Sequence, residues 1–333
     1  MGKLLISVLT LIILSACSNS NSSKNTTLTI RTTAPQNTQK QNLAQVVVTT
    51  SVLCDLTKQV AGNTANINCL IPPDTNPRNY KPTAEDRQAI DKAKLVLYNG
   101  YNLEPGVFNI IKASKNPVPK IAVAQVAVPK PNIQQGNKKS VNPYLWHDAK
   151  NAAAMVDVIS NNLKKVAPQN AKLYTANTSK LKNQIGALDK WIKSRIASIP
   201  PSQRTLITNN QQMGYYTTAY GLTYETAFIT INPSEAPTSP QLKPLINNIK
   251  QARVPSIFIS NTVNPQLVKS VAKQANVRLS ERSLFTNNLG AKGSSGDTYQ
   301  KMMTANTRTI VEGLGGTYLI FRPPTKGGAA SNS

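Results

Sequence analysis

Three cysteines and a single histidine are the only thiol and imidazole donors in the chain, and their positions assign them to different chemistries. Cys17 closes Leu14-Ser15-Ala16-Cys17, behind an apolar run from Leu4 to Leu14 that follows Lys3. A charged start, an apolar core too short to span a bilayer with ease, and small residues before a cysteine make a lipobox. Cleavage before Cys17 and acylation of its thiol then tether a protein to a membrane. An ordinary signal peptide with an accidental cysteine is the alternative. Export leaves Cys54 and Cys69 as an even pair in an oxidising compartment, where they are either one disulfide or two separate buried thiols, a choice that geometry makes. His147, beside Asp148 at the start of a helical pattern, is read as an exposed residue of the capping region, with ligation or proton acceptance as the other reading. One imidazole does not make a zinc site. The chain has no Gly-rich phosphate loop and no Cys-His or Ser-His arrangement with a third partner, so no enzyme is expected.

Charge narrows the function classes further. Lys and Arg number 38 against 14 Asp and Glu, a formal net of +24 in 333 residues. Such a balance suits nucleic acid, anionic lipid or acidic partners. An export signal, few aromatics and lysines spread along the whole chain speak against nucleic acid. Attraction to an anionic membrane surface fits the anchor better, although screening over about 8 Å at physiological salt limits it.

The elements that must position any site follow from hydrophobic pattern. The length favours two cores over one. Val46 to Thr50, Asn66 to Ile71 and Leu95 to Tyr98 read as strands, with helices at Val52 to Val60 and Thr83 to Lys92, the latter capped by Thr83 and Asp86. The Pro- and Lys-containing stretch from Val128 to Val141 reads as exposed linker. A helix from Ala149 to Val166 stops at Pro168. Leu173, Leu181, Ile185, Leu188, Ile192 and Ile196 then give a second of about 30 residues, about 45 Å long, enough to run between lobes. The alternation resumes with strands at Thr205 to Thr208, Thr226 to Ile231 and Ser256 to Ser260, helices at Met213 to Ala219, Pro240 to Gln251 and Pro265 to Gln274, and a last helix from Thr298 to Gly313. Strands alternating with helices imply an α/β fold of two Rossmann-like lobes of mostly parallel sheet, with ligand in the cleft between them. The expected divisions are a signal peptide over 1–17, a flexible tether over 18–44, an N-terminal lobe over 45–167, a connecting helix over 168–199, a C-terminal lobe over 200–321 and a disordered tail over 322–333.

Motifs along this frame carry a family resemblance. Asn76-Pro77-Arg78-Asn79-Tyr80-Lys81-Pro82 resembles the Asp-Pro-His-x-Tyr-Glu-Pro signature of the zinc and manganese solute-binding lipoproteins of ABC importers, and Asn142-Pro143-Tyr144-Leu145-Trp146 resembles their Asp-Pro-His-x-Trp. Between them Leu97 to Glu104 matches the family's strand-to-loop segment, and Glu235-Ala236-Pro237-Thr238 and Gly296-Asp297-Thr298-Tyr299 match later landmarks in order, so the resemblance runs from about Val46 to about Leu314. It implies a membrane-anchored receptor on the periplasmic or extracellular face of a bacterial membrane, with an ABC permease and its ATPase as partners and zinc or manganese as solute. A monomer is expected.

The same resemblance implies where metal ligands ought to stand. The two family histidines fall on Arg78 and Tyr144, the third ligand on Asn210 and the fourth, an aspartate, on Asn287, while a supporting glutamate falls on Ser260. Zinc and manganese need imidazole nitrogen or carboxylate oxygen, and a guanidinium, a phenol and two amides supply neither. A degenerate metal site is therefore expected, with zinc or manganese implied by the resemblance alone. Arg78 could orient a small anion or carboxylate instead, or point to solvent, or brace the second lobe. The alternative functions are a receptor for a small anionic solute and a non-transporting, adhesin-like envelope scaffold.

Overall fold

The computed structural model describes residues 43–134, 140–226, 242–262 and 265–324. The lipidation site at Cys17, the signal peptide, the tether up to residue 42, the Glu235 to Thr238 landmark, the strand expected from Thr226 to Ile231 beyond its first residue, and the tail beyond 324 lie outside the described residues. The described residues belong to one compact unit.

Its N-terminal half is a wound parallel sheet. Strand β1 (Ala44–Val48) pairs with β2 (Ala65–Cys69) on one side and β3 (Leu95–Tyr98) on the other, and β4 (Lys120–Ala122) extends β3, giving the order β2-β1-β3-β4. Side chains alternate across the pleat. Val46, Val48, Leu95 and Leu97 enter the main core, while Val47 and Val96 enter a smaller one with Ile71, Ile90, Val107 and Ile111. A sheet buried on both faces needs helices on both. These are α1 (Ser51–Ala61), α2 (Ala84–Lys92), α3 (Pro105–Ala113) and the short α4 (Val123–Ala127). Thr50 caps α1 through its hydroxyl, and Thr83 with Asp86 forms the full reciprocal capping box on α2, as the sequence leads one to expect. Asp86 also accepts from the Tyr80 hydroxyl at 2.8 Å, and burial together with this carboxylate pushes that phenol up to about 12.

Strand β4 and helices α3 and α4 in this half, and one pair of short strands, depart from expectation. Helix α3 follows Glu104 with Pro105 at its first position, where a missing N–H costs nothing. The stretch read as exposed linker holds a small antiparallel pair, β5 (Ile133–Gln134) with β6 (Ser140–Val141), and is followed by buried Asn142.

Helices α5 (Ala149–Val166) and α6 (Ala171–Ala197) follow. At 27 residues α6 is about 40 Å long, and its Leu181, Ile185, Leu188, Ile192 and Ile196 are all buried in the main core. The C-terminal half repeats the alternation with β7 (Thr205–Thr208), α7 (Gly214–Tyr220), β8 (Thr223–Thr226), α8 (Leu242–Ala252), β9 (Ser256–Ile257), α9 (Gln266–Ala275), β10 (Arg278–Leu279) and α10 (Tyr299–Gly313). The β7–β8 and β9–β10 pairs are parallel, and bridges from Thr208 to Phe258 and from Ser260 to Leu284 continue the pattern. The main core is shared by residues of both halves.

Candidate ligand cleft

Every family ligand position sits on a loop that leaves the carboxyl end of a strand or precedes a helix, where an α/β sheet gathers ligands. Arg78 lies in a 3-10 turn, Pro77–Asn79, opened by Asn76, whose side chain accepts from the Arg78 amide at 3.0 Å. Asn142 performs the same service for Tyr144, also at 3.0 Å. Asn210 follows β7, and its carboxamide oxygen accepts from the Gln212 amide at 3.1 Å, so this side chain folds its own turn. Asn287 follows the bridge at Leu284 and is buried.

A chain of hydrogen bonds links these positions. The Arg78 Nε donates to the Tyr144 hydroxyl at 3.2 Å, with the guanidinium carbon 5.8 Å from the ring centre. Gln212 donates from Nε2 to the same hydroxyl at 3.2 Å and to Asn287 Oδ1, while its Oε1 accepts from Thr286. Asn287 passes the chain to Thr262 at 2.7 Å, and Thr286 is hydrogen-bonded to Ser260 at 2.7 Å. Gln212 is the hub: both amide hydrogens and the carbonyl are used, as a buried carboxamide requires. Position-by-position comparison with the family motif passes over it, because it stands two residues beyond the ligand position. A polar residue inside a run that must turn back into the cleft was the available signal.

A cavity of about 730 Å³ lies against this chain, lined among others by Arg78, Tyr98, Tyr101, Phe108, Tyr144 and Asn210. Asn287 does not line it. The larger cavity, about 960 Å³, is lined by residues of α10 such as Gln300 and Arg308 and by Tyr318, and none of the four ligand positions touches it. The smaller cavity is therefore the candidate site. One wall, Gly100-Tyr101-Asn102, has positive φ at three successive residues, 89°, 53° and 54°. At Gly100 the φ of 89° favours glycine, and a Cβ there would also push the Gln125 side chain aside. A bulky residue such as Tyr101 is strained in this region and is held by its hydroxyl, which donates to Val128 O at 2.6 Å.

Two buried titratable groups flank the site. Glu104, which lines the cavity, accepts at Oε1 from the Asn99 amide at 2.6 Å and the Thr49 hydroxyl at 2.9 Å, while Oε2 has no partner among the described residues. Burial pushes its carboxyl up to about 7, against the pull of these donors. His147 overturns the expectation of an exposed capping residue. It is fully buried, because the 3-10 turn Leu145–His147 winds it inward and leaves Asp148 as the actual N-cap of α5. Its Nε2 lies 2.8 Å from Thr286 O, which can only accept, so Nε2 carries the proton. Nδ1 is without a partner among the described residues, and burial pulls the imidazole down to about 4.

Cys54, in the first turn of α1, and Cys69, the last residue of β2, are bonded to each other with Cα atoms 5.8 Å apart. That spacing lies within the range a disulfide bridges. No group of three or more His, Cys, Asp or Glu side chains that could hold a metal ion occurs among the described residues. A guanidinium, a phenol and amides spent on one another do not fit a bare zinc or manganese ion.

The chain is similar to several known proteins. A family model described as ZnuA, zinc-uptake complex component A, periplasmic, matches residues 46–313. The metal ABC transporter substrate-binding lipoprotein ScbA of Streptococcus cristatus is 30% identical over 318 residues, covering 93% of this chain and 97% of that protein. The manganese ABC transporter substrate-binding lipoprotein PsaA of Streptococcus pneumoniae serotype 4 is 29% identical over 321 residues, covering 94% and 98%. Among solved structures, the periplasmic zinc binding protein TroA from Treponema pallidum superposes with a TM-score of 0.74 at 25% identity, covering 82% of this chain and 99% of that one.

Proposed function

Because the chain belongs to the periplasmic zinc-uptake component A family, we propose that it is the membrane-anchored, extracytoplasmic solute-binding component of a metal ABC importer, with a permease and an ATPase as partners, and that its cleft does not grip a bare divalent metal. Relatives that are metal ABC transporter lipoproteins support the first part and favour transport over an envelope scaffold or a receptor for a metal-free anion. One observation carries the second part: the hydrogen-bonded chain Arg78–Tyr144–Gln212–Asn287 runs through three of the four positions where the family's ligands would stand.

Magnitude decides against the bare ion. A unit positive charge about 5 Å from a dication at an effective dielectric near 20 costs about 6–7 kcal/mol, close to the about 8 kcal/mol that micromolar binding would supply. Arg78 has no ion pair among the described residues to offset it. Thermal unfolding of the full chain with zinc chloride or manganese chloride tests this. A ligand at about 100 times its Kd adds about 2.7 kcal/mol and raises the Tm visibly. The expected result is no rise with either salt; a rise that disappears in Asn287→Ala refutes the proposal.

A further inference from the structure

The cavity's donors and acceptors say what it would take. Tyr144 accepts from two donors, Arg78 Nε and Gln212 Nε2, and its own O–H hydrogen goes to none of the described residues. The terminal nitrogens of Arg78 are likewise without a hydrogen-bond acceptor among them. Both side chains line the cavity. Nε and the ring face hold the guanidinium in place, so its remaining N–H fork is pre-oriented for an anion rather than free to sweep solvent. Among the described residues Glu104 is the one acidic side chain lining the cavity, and burial opposes its ionisation. The lining also includes the aromatic rings of Tyr98, Tyr101 and Phe108, those of Tyr98 and Phe108 5.7 Å apart, and the amides of Asn102, Gln125 and Asn209. About 730 Å³ is the scale of a small-molecule site, far more than one desolvated ion needs.

From these features, and resting on the importer function proposed above, we infer that the cargo enters the cleft as a metal ion already wrapped in an organic polycarboxylate, a net-anionic chelate held by Arg78 and the Tyr144 hydroxyl. Wrapping the metal reverses the electrostatic sign. The charge that repels a bare dication attracts the complex, and the chelator supplies the carboxylates that this cleft lacks. Arg78 touches chelate oxygens, Tyr144 donates to one of them, and the aromatic walls cover the chelator's carbon skeleton. The excess of basic residues in the chain adds a field of the same sign that favours encounter.

Isothermal titration of the full chain tests the inference, with the zinc and manganese complexes of citrate and of EDTA as probes, beside the free chelators and the bare chlorides. At least one complex is expected to bind with a stoichiometry of one and more tightly than its metal-free chelator, because the metal fixes the flexible chelator in one compact shape before it binds, which outweighs the larger negative charge of the free form. Arg78→Gln, a change at an exposed residue that leaves the core alone, is expected to weaken it about tenfold to a hundredfold, the loss of a charge-assisted fork. Arg78→Lys should recover only part of that. No binding of any complex, binding indifferent to Arg78→Gln, or a free chelator bound as well as its complex overturns the inference and leaves the proposed function standing. Stoichiometric binding of bare zinc or manganese that is lost in Asn287→Ala sinks both.

Discussion

Acidification should expose the buried imidazole of His147. In the unfolded chain it titrates at its ordinary value of 6.5, and in the fold burial pulls it down to about 4. At pH 7 both states are neutral and the group contributes nothing. Between these values the unfolded chain binds the proton and the folded one does not, so stability falls as pH falls. At pH 5 the loss is about 2 kcal/mol, approaching about 3 kcal/mol below pH 4, since each tenfold difference in proton affinity between the two states is worth about 1.4 kcal/mol. Glu104 works in the opposite sense. Its folded value of about 7 lies above its ordinary 4.5, so the fold holds the proton through that interval and gains about 2 kcal/mol between pH 7 and pH 5. The two nearly cancel in the native protein, which makes its own pH profile uninformative. The readout is therefore the difference in urea unfolding free energy between the native chain and His147→Gln, which keeps an N–H donor for Thr286 but cannot titrate. That difference should move by about 2 kcal/mol in favour of the variant on going from pH 7 to pH 5. An unchanged difference would refute the reasoning, because it would mean that the folded protein protonates this imidazole as readily as the unfolded one.

Glu104→Gln should show the mirror image, losing about 2 kcal/mol relative to the native chain between pH 7 and pH 5 in the same urea series. Gln212→Ala strands Asn287 and Thr286 in the interior and should cost about 2–4 kcal/mol, read as a fall in the urea midpoint with unchanged slope. Asn210→Ala, at a half-buried turn, should cost less than half as much. Replacing Cys54 and Cys69 together by serine removes a cross-link closing 15 residues of sequence. By loop entropy that costs about 3 kcal/mol, and a Tm equal to that of the oxidised native chain would contradict it.

Much of the frame was legible because its signals are local. The Val46 to Val48 run, the Thr83 and Asp86 cap and the buried spacing of α6 each follow from a few neighbouring side chains and the period of the element they form. Helix α3 escaped because its cue is a proline after an acidic residue rather than a cap, and the pair β5–β6 because two-residue strands carry no period. His147 was misjudged for a related reason: a helix start on paper does not say which residue caps it. Moving the cap to Asp148 turns its neighbour from solvent to core.

The sequence by itself determined which donors the four implied ligand positions exclude, since Arg78, Tyr144, Asn210 and Asn287 carry neither imidazole nor carboxylate. Residue chemistry needs no coordinates for that exclusion. Only the tertiary structure decided how those side chains are tied together: Gln212 joined to Tyr144, 68 residues away, and to Asn287, 75 residues away, with Arg78 hydrogen-bonded to the same phenol. Hydrogen bonds between loops of different strands depend on how two halves of a fold approach each other, and no local pattern in the chain encodes that distance.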